Sequence, residues 1–173
     1  MIPDALREAI AEYRARPPFQ PPTDGYQPGD LWVADYGTGR CIVAIACYDS
    51  FHVDLNLTHS TPEFASDIDI VYDADVAAPW PVVACGELNG QCMWEQLVKR
   101  VGRIPAADIA ALQHAWRVDE DGEPGGSIRH LPHGHPWRPS DRGSERWQFV
   151  SDLLTDVLTP LRSTALRQLI GDA

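Results

Sequence analysis

Arg40 stands where the turn Gly37-Thr38-Gly39 meets an apolar run, Cys41-Ile42-Val43-Ala44-Ile45. A guanidinium at a turn-to-strand junction can offer a planar fork of donors to a phosphate, and an arginine there also serves simply to cap a turn. Thr58 ends the alternating run Phe51-His52-Val53-Asp54-Leu55-Asn56-Leu57, with His59, Ser60 and Thr61 directly after it. Its hydroxyl can bond a ligand or satisfy the loop backbone. Lys99, Arg100 and Arg103 form the best basic cluster of the chain, the place to expect a local groove for a polyanion.

Three other groups carry chemistry by type. His130, His133 and His135 lie within six positions. Imidazoles at that density bind transition metals or move protons near neutrality, yet their spacing matches no closed zinc site and no Cys-x-x-Cys pair accompanies them. Asp67, Asp69, Asp73 and Asp75 lack the glycine and terminal glutamate of a calcium loop and read as a solvated edge. Glu87 and Glu95 flank Asn89-Gly90, which reads as a turn. No phosphate-binding glycine loop, nucleophile elbow or dinucleotide fingerprint is present, so no cofactor and no metal is expected.

The net charge of −11 argues against a surface built for general nucleic-acid binding, since affinity for phosphates comes from basic side chains that release counterions. At 173 residues, with hydrophobic residues at 44%, the chain can close one sizeable core with appendages. The 4 cysteines, Cys41, Cys47, Cys85 and Cys92, read as reduced core thiols. Met1 to Glu12 carries acids and no long apolar run, so neither a signal peptide nor a membrane anchor is expected, and the expected location is the cytoplasm.

The elements that must position these residues follow from periodicity. Leu6, Ala9, Ile10 and Tyr13 recur at spacings of three and four and predict a helix over Asp4 to Arg16, followed by an extended linker at Pro17-Pro18-Phe19-Gln20-Pro21-Pro22. Strands are predicted at Leu31 to Asp35, Cys41 to Tyr48, Phe51 to Leu57, Ile68 to Val71, Val82 to Cys85 and Trp94 to Val101. Cys41 to Cys47 is apolar throughout, as for a strand covered on both sides, and the acid-flanked fourth strand suits an edge. A helix is predicted over Ala106 to Trp116. After a long polar stretch from Val118 to Arg146, a closing helix is predicted with Ser144 as its N-cap, broken or kinked at Pro160 before Leu161 to Ile170. The fold class is therefore α+β: a small, highly curved barrel with an added N-terminal helix and C-terminal helices. Residues 1–22 form the N-terminal appendage, 23–117 the barrel with its following helix, and 118–173 the polar loop and closing helices.

Four pieces of this pattern resemble the MazF/PemK family of small β-barrel endoribonucleases from toxin–antitoxin systems. They are Pro28-Gly29-Asp30-Leu31-Trp32, Arg40-Cys41-Ile42-Val43, Leu57-Thr58-His59-Ser60, and Lys99-Arg100-Val101-Gly102-Arg103-Ile104 with a helix after it. The resemblance spans roughly Pro28 to Ile109. It implies a MazF-type barrel and metal-independent cleavage of single-stranded RNA, in which the 2′-hydroxyl attacks the adjacent phosphorus and leaves a cyclic phosphate and a 5′-hydroxyl. Arg40 and Thr58 would be catalytic, with His59, Ser60, Lys99, Arg100 and Arg103 binding substrate. It further implies a homodimer and an antitoxin protein whose acidic segment fills the groove. The chain departs from the family in its short turn Tyr36-Gly37-Thr38-Gly39 and in having Cys41, not proline, after the arginine. Two other readings remain: a noncatalytic SH3-like barrel that binds a protein partner, and a barrel turned to a small-molecule reaction through the histidine loop.

Overall fold

A computed structural model describes residues 25–49, 52–66, 69–120 and 143–163. The helix and linker expected over residues 1–22, the histidine loop and the chain beyond residue 163 lie outside the described residues.

Six antiparallel strands form one sheet: β1 (Asp30–Asp35), β2 (Arg40–Tyr48), β3 (His52–His59), β4 (Ile70–Tyr72), β5 (Val82–Met93) and β6 (Leu97–Arg103), ordered β4-β5-β3-β2-β1-β6. Helix α1 (Ala106–Glu120) follows β6, and α2 (Gly143–Leu153) continues through a π-turn (Leu154–Leu158) to residue 163. This is the expected α+β architecture. The loop that follows β4 reaches the other edge strand, β6, where the Arg103 N–H donates to the Ala77 carbonyl at 2.9 Å. Gly102 permits that approach, because a Cβ there would collide with the Ala77 carbonyl oxygen.

Each face of the sheet has its own helix. On the enclosed face Leu31, Ala44, Ala46, Ile70, Tyr72 and Ala84 pack with Ile109 and Leu112 of α1. On the other, Val43, Ile45, Val53, Leu55 and Leu57 pack with Leu158 and Leu161. Val43 to Ala46 are therefore buried on both sides, as the uniformly apolar run requires. β3 alternates only in its first half; Asn56 and Thr58 are buried too, since α1 roofs the face they share. There Gln113 donates to Asn56 Oδ1 at 2.8 Å, and Asn56 Nδ2 donates to the Cys85 carbonyl at 2.8 Å. Nearby, Tyr72 donates its hydroxyl to Asp108 Oδ2 at 2.7 Å, and burial followed by this carboxylate pushes the phenol pKa upward.

Three expectations are corrected. Asn89 and Gly90 are not a turn; they lie inside β5, in register with Asn56 and Leu55. A Cβ at Gly90 would lie 2.8 Å from Leu158 Cδ1, the end of a side chain that can shift. Trp94 belongs to a 3-10 turn, Trp94–Gln96, and β6 starts after it. Pro160 does not break the closing helix, which runs on to residue 163. The π-turn just before it routes the Thr159 N–H to the Leu154 carbonyl, widening the backbone where proline lacks a donor.

Cys85 and Cys92 are buried and Cys41 partly so, whereas Cys47 is exposed, because the β2 bulge between Ile45 and Cys47 turns it outward. Burial pushes Cys41 and Cys92 up to about 12. In the folded protein a water-soluble disulfide reagent is expected to modify one thiol, Cys47, and four after denaturation. Mass spectrometry of the labelled peptides checks this; prompt native labelling of Cys85 would contradict the packing.

Candidate functional site

Register brings part of the expected site together. Lys99 opposes Val33, Val33 opposes Ile42, Ile42 opposes Thr58 and Thr58 opposes Ala84, so these residues form one row across the sheet. Directly opposed residues share a face, so Lys99 and Thr58 lie on the same side. Arg40, two residues before Ile42, joins them there, roughly 7–8 Å from Thr58 as a diagonal neighbour. Lys99 is two strands away from Arg40, roughly 10 Å across the sheet.

Arg40 leads β2 after a tight turn. The Tyr36 N–H donates to the Gly39 carbonyl at 3.0 Å, and Gly37 supplies a φ of +85° that an L side chain resists. Arg40 directly opposes Asp35 and donates its Nε–H to Asp35 Oδ2 at 3.2 Å. The Gly37 N–H donates to the other carboxylate oxygen at 2.9 Å. That backbone N–H, and then the Arg40 guanidinium, hold the Asp35 carboxyl below its ordinary pKa. The Arg40 side chain is 64% exposed, and neither Nη nitrogen has a partner among the described residues. The arrangement offers a solvent-facing fork of two nitrogens to an oxyanion.

Thr58 is in a different state. It is buried, and its hydroxyl donates to the Ile42 carbonyl at 2.9 Å. To donate to a ligand it must first leave that carbonyl.

The remaining expected residues are dispersed. His59, one position on, points to the α2 face, where its ring lies edge-on to Phe149 at 4.9 Å. The Thr61 N–H donates to His59 Nδ1 at 3.2 Å, so the neutral ring carries its proton on Nε2. Burial, then the Arg146 charge, lower its pKa to about 4. Ser60 is exposed just beyond the strand. Arg100 and Arg103 do not extend a basic patch beside Lys99. They converge on Asp30, which is fully buried, at 3.8 and 3.3 Å. Arg103 also donates to Gln27 Oε1. Arg100 follows Lys99 in unbroken register, so ordinary strand alternation puts it on the opposite face, and the irregularity that skips Val101 brings Arg103 to that same side.

A second polar cluster corrects the reading of Asp69 as part of a solvated edge, since Asp69 is buried beside Glu87 and Arg146. Arg146 of α2 pairs with Glu87 and lies 3.8 Å from Asp69 Oδ2. Asp69, 97% of whose surface is removed from solvent, accepts from the N–H groups of Ser66 and Gly86, and burial raises its pKa. Phe149 stacks on Phe64 at 4.6 Å beside it. This cluster docks α2 on the β3–β5 end of the sheet and satisfies the backbone where Gly86 leaves the ladder. Only distance in sequence hides it: Arg146 and Asp69 are brought together by the helix, not by any local pattern.

Among the described residues, no three side chains are grouped so as to hold a metal ion, and no helix is long and apolar enough to cross a membrane.

No protein-family model matches the chain. No curated protein matches its sequence. Among solved structures, the Mycobacterium tuberculosis toxin MazF-mt6 is similar to it, at 12% identity and a TM-score of 0.43, over 55% of this chain and 98% of that one.

Proposed function

We propose that the chain is a MazF/PemK-like toxin, a metal-independent endoribonuclease acting on single-stranded RNA through the face that carries Arg40, Thr58 and Lys99. The observation that carries the reading is the exposed Nη fork of Arg40, without a partner among the described residues, with Lys99 on the same side of the sheet. In this reading the RNA 2′-hydroxyl attacks phosphorus, Arg40 takes up the charge growing on the phosphoryl oxygens, and the 5′-oxygen leaves. Thr58 joins once its hydroxyl is released from the Ile42 carbonyl. Lys99 holds a neighbouring phosphate. His59 and Ser60 act at the rim, His59 from the α2 side, and Arg100 and Arg103 contribute only as far as they disengage from Asp30. The same reading carries a homodimer and an acidic antitoxin segment as partners.

The test is incubation of the purified protein with mixed-sequence single-stranded RNA in EDTA, with the ends mapped. Fragments with 5′-hydroxyl ends are expected, with Arg40→Ala slower by about 10²–10³-fold, the usual effect of losing one donor to developing charge. Absence of cleavage by the folded protein would replace this reading with the partner-binding barrel.

A further inference from the structure

We infer that Asp35 is a positioning residue that aims Arg40 at a substrate phosphate, an inference that rests on the ribonuclease reading of this face. Asp35 engages Arg40 through Nε alone, at 3.2 Å. Nε is the stem-side donor of the guanidinium, so holding it there turns both Nη donors outward as a planar pair, the geometry that grips a phosphate through two parallel hydrogen bonds. Without that hold, an exposed arginine samples many rotamers and must be ordered by the substrate itself.

Asp35 can act as an anchor because it is itself fixed. Its backbone lies in the β1–β2 ladder directly opposite Arg40. Its Oδ1 accepts the Gly37 N–H at 2.9 Å. Its carbonyl accepts from Gln96 Nε2 at 3.3 Å. Gln96 is buried, donates also to the Leu161 carbonyl at 3.2 Å, and accepts the Met93 N–H at 2.8 Å. The support for Arg40 thus runs from the exposed site through Asp35 and Gln96 into the packing of the C-terminal helix, the kind of backing that holds a reactive side chain in place.

An acid beside a phosphate site repels the phosphate, so two descriptions of Asp35 predict opposite signs. If it only neutralises Arg40, its removal speeds the reaction. If it aims Arg40, its removal slows the reaction even though RNA binds as well or better.

The experiment is single-turnover cleavage of a short single-stranded RNA by the full chain, for wild type, Asp35→Ala, Asp35→Asn and Arg40→Ala. The side-chain Nε–H NMR resonance of Arg40, assigned by its loss in Arg40→Ala, is followed in parallel. Asp35→Ala is expected to slow cleavage about tenfold with RNA affinity unchanged or raised. Asp35→Asn, whose amide oxygen still accepts the Nε–H, recovers most of the rate. The Arg40 resonance shifts in Asp35→Ala and stays near its wild-type position in Asp35→Asn. Asp35→Ala cleaving as fast as wild type, while Arg40→Ala is slowed by about 10²–10³-fold, overturns the positioning role and leaves the ribonuclease reading standing. No cleavage by folded wild type overturns the ribonuclease reading and, with it, the aiming of a substrate. The resonance then decides the contact alone, and an unshifted signal in Asp35→Ala overturns the anchor as well.

Discussion

Gly29→Ala is expected to cost about 3 kcal/mol, the upper end of the range for forcing atoms into a packed site. Gly29 sits at a φ of +91°, a conformation L side chains rarely adopt. A Cβ there would also penetrate the Ile104 carbonyl oxygen, which belongs to backbone and cannot swing aside. Both polar groups of Gly29 are committed to the seam: its N–H donates to the Ile45 carbonyl at 2.8 Å, and its carbonyl accepts the Ile104 N–H at 2.8 Å. Relieving the clash therefore breaks the junction between β1, β2 and the chain leaving β6. Gly25→Ala is the matched control. It too has a positive φ, +52°, but among the described residues nothing lies within 4 Å of the added Cβ, so the conformational cost, about 1 kcal/mol, is what is expected. Urea denaturation of the two variants checks this, and equal losses would refute the steric account of Gly29.

Acidification from pH 7 to 4.5 is expected to weaken the fold through His59, and His59→Asn to remove much of that dependence. The His59 pKa lies at about 4 in the folded chain because burial disfavours the imidazolium and Arg146 repels it, with Glu63 opposing in part. In the unfolded chain it titrates near 6.5. Between those values the unfolded state binds more protons, so stability rises with pH across the window. His59 thus stabilises fully above about 6.5, and that stability is lost as the pH falls towards 4. The gap corresponds to on the order of 3 kcal/mol. Asp69 works in the opposite sense: its raised folded pKa makes acid favourable to the fold above the ordinary carboxylate range. The comparison with His59→Asn isolates the imidazole, since the asparagine oxygen can still accept the Thr61 N–H that now reaches Nδ1. Stability measured in urea at pH 4.5, 5.5 and 7 should fall more steeply for wild type than for the variant. Parallel curves would mean that His59 is not held neutral by its surroundings.

The sequence by itself determined the first three strands and their kind, but not the length of β5, expected at Val82 to Cys85 and observed at Val82–Met93. Period-two alternation marked β3, an unbroken apolar run marked β2 as covered on both faces, and Pro105 opened α1, because each of these depends on neighbours within a few residues. The junction that places Arg40 was legible for the same reason: a glycine-bounded turn followed by an apolar strand is a local pattern. What projects from which face was not. Arg100 and Arg103 share a short basic run with Lys99, yet alternation puts Arg100 on the opposite face and the skipped Val101 sends Arg103 with it to Asp30. Asn89-Gly90 carries the strongest local turn signal and still runs straight through β5, because it is paired along β3, opposite Asn56 and Leu55. Likewise the burial of Thr58 under its cross-strand carbonyl, the isolation of His59 beneath α2, and the docking of Arg146 on Asp69 and Glu87 are set by contacts between segments far apart in the chain. Local periodicity reports the conformation of a segment. The side on which a charge finally lies is decided by ladder register and helix docking, which only the assembled sheet supplies.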